Sequence, residues 1–75
     1  MSNDTKPITR HKIGWNLQRA RERAMLTQKQ AGERTCLGRS MIKAIESGKR
    51  RSIDPDMLQT LADCYGVDVQ DFFRE

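Results

Sequence analysis

Two short helical segments separated by a tight break occupy the middle of the chain and limit its possible folds more than any other feature. Thr27 precedes the first segment and Gln30 follows three residues later. This is the spacing of a capping box, in which hydroxyl and amide groups satisfy the first helical turn. We therefore predict a helix over about 28–34. Residues 35–38, Thr-Cys-Leu-Gly, disfavour its continuation, and a second helix is predicted to begin at Arg39.

This second helix has two chemically different faces. At about 100° per residue, Ile42 and Ile45 share one face and Met41 lies beside them. The opposite face carries polar or small side chains, those of Arg39, Ser40, Lys43, Ala44 and Ser47. Such a face suits the major groove of DNA, because Arg, Ser and Lys can bond to base edges and Ala permits close approach. An ordinary solvated face explains the pattern equally well.

The run LTQKQAGERTCLGRSMIKAIESGKR, residues 26–50, resembles the helix-turn-helix of the phage-repressor family, the Cro/CI-like or XRE domains. That family opens its second helix with Gln and closes its third with Ile…Ile-Glu-x-Gly. The matching residues here are Gln28, Ile42, Ile45, Glu46 and Gly48. Arg21 stands where the family places an arginine that pairs with the glutamate. The resemblance spans about 13–73.

An all-α fold follows from this resemblance: a compact five-helix, lambda-repressor-like DNA-binding domain with the helix-turn-helix at helices two and three. The family usually has a large aliphatic residue and then Ala where this chain has Ala31 and Gly32. It usually has Gly in place of Cys36, and often Ser in place of Gly38. Glycine inside a helix costs up to about 1 kcal/mol relative to alanine. We expect these departures to affect local packing and to leave the fold unchanged.

Charge is distributed unevenly along the 75 residues. Residues 1–51 contain 13 Lys/Arg and 4 Asp/Glu, a formal charge of +9, whereas residues 52–75 contain 1 and 6, a formal charge of −5. A basic side and an acidic side suit a small protein that binds DNA phosphates. An anionic membrane is the competing partner, but no segment combines Lys/Arg with bulky apolar residues on an amphipathic face. We therefore predict no membrane binding.

Several other classes of protein find little support in the composition. No apolar run approaches a membrane span, and the N-terminus lacks the apolar centre of a signal peptide, so a cytoplasmic protein is expected. Cys36 and Cys64 are expected to be reduced structural thiols, with redox sensing as the alternative. With the distant His11 they do not form a metal site. Neither a catalytic site nor a cofactor is predicted, because no nucleophile–base pair or phosphate-cradling glycine loop is present.

The N-terminal part divides into a tail and a helix. Residues 1–9 are predicted to be a flexible tail, followed by a helix-turn-helix domain over residues 10–75. An alternative is that the basic residues near the tail, Lys6, Arg10, His11 and Lys12, lie along DNA as an arm. The first helix is expected over about 10–24, with a buried stripe of Ile13, Leu17, Ala20 and Ala24. Arg21, at the edge of this stripe, is expected to form a structural ion pair with Glu46; two solvated charges are the alternative.

Beyond the third helix, Lys49, Arg50 and Arg51 form a basic run that is expected to contact phosphates, or else to be a solvated loop. A fourth helix is predicted to start at Asp54-Pro55 and to end at Gly66, with an inward stripe of Leu58, Leu61 and Tyr65. A last short helix is predicted from Val69 to about Phe73, capped by Asp68.

Three aromatic residues are candidates for a dimer or partner contact. Trp15 falls opposite the buried stripe, so it either covers an end of the core or packs on the C-terminal segment, or else contacts a second subunit or a partner protein. Phe72 and Phe73 are adjacent and cannot easily face one core; one is expected to seal it and the other to dimerise.

These features favour a sequence-specific DNA-binding transcriptional regulator, most simply a repressor. Gln28 is expected to fix the duplex by its side chain and by backbone N–H groups near a phosphate, and Arg39 to contact guanine. The remaining predicted base contacts are Ser40, Lys43, and Ala44 or Met41. As a homodimer, the protein would bind an inverted-repeat operator in double-stranded DNA. The alternative is a protein-interaction module of the same fold, an adaptor, antitoxin-like or anti-repressor protein, that uses Trp15 or Phe73.

Overall fold

The computed structural model describes residues 9–50 and 52–75, and the described residues contain helices but no strand. In chain order these are α1 (Arg10–Arg23), α2 (Gln28–Thr35), α3 (Arg39–Glu46), α4 (Pro55–Tyr65) and a 3-10 helix (Val69–Phe73). Residues 1–8 of the predicted tail, and Arg51 of the predicted basic run, lie outside the described residues. None of the described helices is long and apolar enough to cross a membrane.

The expectation of five α-helices was wrong in its last element. Residues 69–73 form a 3-10 helix, in which the Asp71 N–H donates to the Asp68 carbonyl at 2.9 Å. The Asp68 side chain also accepts from the Gln70 N–H at 2.8 Å, as a capping residue does. Five residues are too few to sustain α-helical bonding, and the tighter i→i+3 pattern is common in such short pieces. The tight turn allows Phe72 to enter the core while the chain continues in an extended conformation.

Helix termini lie within one residue of their predicted positions because local side chains define them. The Thr27 hydroxyl accepts from the Gln30 N–H at 3.0 Å, and the Gln30 side chain accepts from the Thr27 N–H at 2.9 Å. This is the complete capping box that the sequence predicted. Asp54 caps α4, Pro55 occupies its first turn, and Gly66 ends it in the left-handed conformation.

The largest fully buried side chains are apolar and come from every helix except α2. These are Phe72, Leu17, Ile42, Ile45 and Leu61. The α2 helix contributes Ala31 and Gly32, so its contact with α3 is made largely by backbone. Within the predicted stripe of α1, Leu17 and Ala20 are buried, whereas Ile13 and Ala24 are only partly buried against the core. Helix α1 contacts α3, α4 and the 3-10 helix.

The turn between α2 and α3 is formed by two residues with positive φ. Cys36 ends α2 at φ 62°, and its side chain is exposed. Gly38 precedes α3 at φ 93°, and its N–H donates to the Gly32 carbonyl at 3.1 Å. A left-handed residue at the end of a helix is usually glycine. The position where the family usually has glycine therefore keeps its left-handed backbone although this chain has cysteine there.

Gly32 has a packing role that helix propensity does not reveal. A Cβ atom at this position would lie 2.5 Å from both the Gly38 carbonyl carbon and the Arg39 nitrogen. Both atoms belong to the backbone, so they cannot move aside as a flexible side chain would. Gly32 was expected to destabilise α2. In the structure it permits the start of α3 to lie directly against α2.

Replacing Gly32 with alanine should destabilise the protein. Helix propensity alone predicts a gain of about 1 kcal/mol, whereas forcing a methyl group into a packed contact costs about 1–3 kcal/mol. We expect the contact to dominate and the free energy of unfolding to decrease. Urea unfolding of Gly32→Ala and the parent protein, followed by circular dichroism, measures the difference. An increase in the free energy of unfolding would contradict this role for Gly32.

Candidate nucleic-acid interface

Helix α3 divides into a buried side and an exposed side. Ile42 and Ile45 are 1% exposed and anchor the helix in the core. The exposed residues include three of the predicted base contacts, Arg39, Ser40 and Lys43, and also Ser47. Met41 and Ala44 are half-buried at the border between the two sides. The structure thus brings the predicted α3 residues together on one surface and its border.

A shallow basic depression connects this surface to the first turn of α2. Its lining residues are Arg21, Thr27, Gln28, Lys29 and Arg39. Lys29 was not among the predicted contact residues, although its position next to Gln28 in a first helical turn could have indicated it. Cations beside the N-terminus of a helix favour the binding of an anion there, because the N–H groups of the first turn and the helix dipole also attract negative charge.

The side chain of Gln28 is hydrogen-bonded within the protein. Its amide nitrogen donates to Glu46 Oε1 at 3.0 Å, and the residue is half-buried. That internal hydrogen bond uses one of the two N–H donors of the amide that was expected near a phosphate. Glu46 attracts the amide because a buried carboxylate needs several donors. A phosphate contact by the Gln28 side chain and by the backbone N–H groups of the first turn of α2 stays a prediction.

Arg21 and Glu46 form a buried, two-point ion pair between α1 and α3. Arg21 Nε donates to Glu46 Oε2 at 2.6 Å, and Arg21 Nη2 donates to Glu46 Oε1 at 3.1 Å. The two side chains are 10% and 5% exposed. The third nitrogen, Nη1, donates to the Leu26 carbonyl at 2.8 Å. One guanidinium therefore joins α1, the loop before α2, and α3.

Local ionisation follows from this arrangement. The hydrogen bond to Glu46 raises the pKa of Arg21 above its ordinary value, although burial opposes the shift. Burial raises the pKa of Tyr65, and the nearby Glu46 carboxylate raises it further. Arg21 is thus a fixed positive charge, and the Tyr65 phenol nearby stays neutral at physiological pH.

After α3, the predicted basic run continues the cationic surface. Lys49 is exposed and Arg50 is half-buried. Arg50 Nε is fully buried and has no hydrogen-bond partner among the described residues, while the Arg50 carbonyl accepts from Arg10 Nη1 at 3.4 Å. Sequence reasoning considered Arg10 only as part of a possible arm, because no local pattern shows that it lies beside the residues that follow α3.

The three aromatic candidates differ in exposure. Trp15 is 48% exposed and Phe73 is 40% exposed. Phe72 is fully buried, so it is the one of the two adjacent phenylalanines that seals the core, because the 3-10 helix turns it inward. Of the two, only Phe73 remains a candidate for a dimer or partner contact. The Arg19 guanidinium lies 5.5 Å from the centre of the Trp15 ring, a cation–π arrangement.

A groove beside Trp15 separates α1 from the end of the chain. Its lining residues include Trp15, Asn16, Arg19, Arg23, Asp71 and Arg74. Asn16 Nδ2 donates to the Phe72 carbonyl at 2.9 Å and to the Arg74 carbonyl at 2.7 Å, which fixes the terminal segment against α1. A hydrogen bond from Arg74 lowers the pKa of Asp71. The sequence analysis missed Asn16, since its partners are backbone groups far along the chain.

Within the described part of the chain, no group of three His, Cys, Asp or Glu residues is placed to hold a metal ion. The exposed groups of the surface around α3 are cationic, polar or small. They can donate hydrogen bonds to phosphate oxygens and base edges.

Comparison with known proteins agrees with this geometry. A helix-turn-helix family model matches residues 17–72. The chain belongs to this family, the XRE-type helix-turn-helix proteins, which are DNA-binding transcription regulators. The family indicated by residues 26–50 is thereby confirmed.

Two solved structures have similar folds. The restriction-modification controller protein C.AhdI from Aeromonas hydrophila superposes with a TM-score of 0.80 at 23% identity, covering 85% of this chain and 91% of that chain. The DNA-binding domain of BldD superposes with a TM-score of 0.78 at 25% identity, covering 99% of this chain and 100% of that one. No curated protein sequence matches the chain.

The buried ion pair should show strong coupling in a double-mutant cycle. Glu46→Leu leaves Arg21 charged and buried without its partner, and Arg21→Met does the same to Glu46. Each single variant should reduce the free energy of unfolding by about 3–5 kcal/mol. Replacing both residues, as in Arg21→Met/Glu46→Leu, should recover most of that loss. Urea unfolding at about 15 °C, near the temperature of maximum stability, measures both effects.

An exposed ion pair provides the matched control. Asp71 pairs with Arg74 at 2.8 Å, and these side chains are far more exposed than Arg21 and Glu46. Asp71→Ala should leave the unfolding transition nearly unchanged. If the double variant lost as much stability as the two single variants together, Arg21 and Glu46 would not be coupled and their structural role would be refuted.

Proposed function

We propose that this protein regulates transcription by binding a specific DNA sequence with α3 in the major groove, and that it represses. The observation that supports this most directly is the division of α3. Its apolar side is held in the core by Ile42 and Ile45, while Arg39, Ser40 and Lys43 are exposed. A helix fixed in this way can present donors to base edges without losing its own packing.

Each residue on the outer side of α3 has a distinct proposed role. Arg39, in the first turn, donates two hydrogen bonds to O6 and N7 of a guanine. Ser40 and Lys43 bond to neighbouring bases. Ala44 or Met41 contacts a thymine methyl group, and the small Ala44 side chain keeps the helix close to the groove floor.

Backbone contacts orient the domain on the duplex without reading its sequence. We assign them to the N–H groups of the first turn of α2, at Gln28, and to the basic run of Lys49, Arg50 and Arg51. The basic depression around the start of α2 supports the first assignment. Repression follows if the bound site overlaps a promoter, because the occupied groove excludes polymerase.

The proposed active form is a homodimer on an inverted-repeat operator. Trp15 and Phe73 support this proposal, since both expose large apolar area, and Trp15 lines the groove between α1 and the end of the chain. Two copies related by a two-fold axis would place their α3 helices in successive major grooves. The half-sites would then be about 10 bp apart.

A second candidate is a protein-interaction module that retains this fold. The exposed aromatic residues favour it, because Trp is enriched where binding energy concentrates. The groove around Trp15 would then receive a partner protein, and DNA affinity would be the same for every sequence.

Selection of binding sites from a random duplex pool distinguishes these candidates. The selected site and a scrambled site are then titrated across a salt series with the purified protein. Specific recognition by a dimer predicts a pseudo-palindromic site that binds at least about 10³-fold more tightly than the scramble. Equal affinity for the two duplexes would exclude sequence-specific regulation and would agree with the interaction module; a steep salt dependence would then show that the remaining binding is to the DNA backbone. Absence of binding to either duplex would support the interaction module.

Arg39 should affect base preference more than general affinity. Arg39→Ala should reduce discrimination at one base-pair position by about 1–3 kcal/mol. Lys49→Ala is the matched control, because it removes a charge from the proposed phosphate contacts. It should weaken binding to all sequences alike and reduce the salt slope. Affinity measured on duplexes that carry each base at each position distinguishes a loss of base preference from a general loss of affinity. A uniform loss of affinity in Arg39→Ala would exclude Arg39 as a base-reading residue.

A further inference from the structure

The first turn of α1 lies close to the C-terminal end of α3. A Cβ atom at Gly14 would lie 2.5 Å from the Glu46 carbonyl oxygen and 2.6 Å from the Ile45 carbonyl oxygen. The absence of a side chain at Gly14 therefore allows the α1 backbone to approach the last turn of α3. The start of α1 is thus fixed relative to the proposed reading helix.

Two side chains from this turn extend towards the residues that follow α3. His11 packs on Gly48 so closely that a Cβ there would lie 2.5 Å from His11 Nδ1. Arg10 Nη1 donates to the Arg50 carbonyl at 3.4 Å. Arg10 and His11 therefore join Lys49 and Arg50 in one surface, which we call the α1 patch.

The α1 patch has an uncompensated positive charge. Among the described residues, ion pairs form between Arg21 and Glu46 and between Arg74 and Asp71, so no carboxylate pairs with the patch. Glu46, at the end of α3, accepts hydrogen bonds from Arg21 and Gln28. Its charge is therefore already balanced within the protein, which leaves the patch to attract an external anion.

The donors of the patch are also incompletely used. Arginine has five N–H donors in a planar fork, and the Arg10 side chain forms one long hydrogen bond. A phosphate has several strong acceptor oxygens and can accept two donors from one guanidinium. A phosphate group therefore matches both the positive charge and the unused hydrogen-bond donors of the α1 patch.

We propose that Arg10 and His11 bind the DNA backbone beside the reading helix, and that the α1 patch forms a second phosphate-contact surface. This inference depends on the proposed function, since it assigns further residues to the same DNA complex. With the outer side of α3 in the major groove, the C-terminal end of α3 approaches one of the flanking strands. Lys49 and Arg50 already lie there, and Arg10 and His11 widen the contact along the strand.

Salt dependence tests this inference because each neutralised phosphate changes the slope of log K against log[salt] by about 0.9. Arg10→Gln should reduce the steepness of that slope by about one. It should also weaken binding about five- to tenfold at a fixed salt concentration, equally for the selected and scrambled duplexes. Arg10→Lys retains the charge and should restore most of the slope. His11→Gln should weaken both duplexes alike by a smaller factor.

Arg23→Gln is the matched control. Arg23 is an exposed cation of the same helix, but it lines the groove beside Trp15. The variant removes the same net charge without touching the α1 patch, so its slope should remain close to that of the parent protein. Thermal unfolding of each variant verifies that it is folded at the assay temperature.

The possible outcomes are distinct. If Arg10→Gln and Arg23→Gln have equal slopes, the patch makes no phosphate contact and the inference is wrong, while the proposed function survives. If the parent protein binds neither duplex, the proposed function itself fails. If Arg10→Gln is unfolded, His11→Gln tests the inference instead. A loss of affinity for both duplexes would support a phosphate contact by the α1 patch, and unchanged affinity would refute it.

Discussion

The buried ion pair between Arg21 and Glu46 determines how the three N-terminal helices are arranged. Burying two charges is expensive unless hydrogen bonds replace the lost water. Here the carboxylate receives donors from Arg21 and Gln28, and the guanidinium also bonds to the Leu26 carbonyl. These partners come from α1, from the loop that follows it, and from α2. The pair can therefore be satisfied only when α3 has one orientation, and that orientation exposes Arg39 and Lys43.

Close contacts between helix backbones add stability that the small hydrophobic core does not supply. Eight-residue helices such as α2 and α3 are not stable alone in water, so their order depends on caps and tertiary contacts. Gly32 lets α2 meet the start of α3, and Gly14 lets α1 meet its end. Helix α3 is thus held at both termini by backbone, and from beneath by Ile42 and Ile45. Such rigidity suits a surface whose side chains must match base edges, because less conformational entropy is lost on binding.

Local signals predicted much of the fold. The capping box at Thr27, Asp54 before Pro55, and the glycine at Gly66 each act on neighbouring backbone, so helix ends could be placed to within one residue. The pairing of Arg21 with Glu46 was expected chiefly from family resemblance, since the residues alone fit two solvated charges as well. The 3-10 geometry of the last helix, the inward turn of Gln28 and the position of Arg10 could not be predicted. Each depends on contacts between segments that are distant in the sequence.

The proposed position of α3 in the major groove can be tested by intermolecular nuclear Overhauser effects between protein and DNA. The experiment uses labelled protein bound to its selected duplex and observes the methyl groups of Ala44 and Met41. If α3 occupies the major groove, we expect cross-peaks from these methyl groups to thymine methyl or cytosine H5 protons, which line that groove. Cross-peaks from those base protons to another helix, with none to α3, would contradict it.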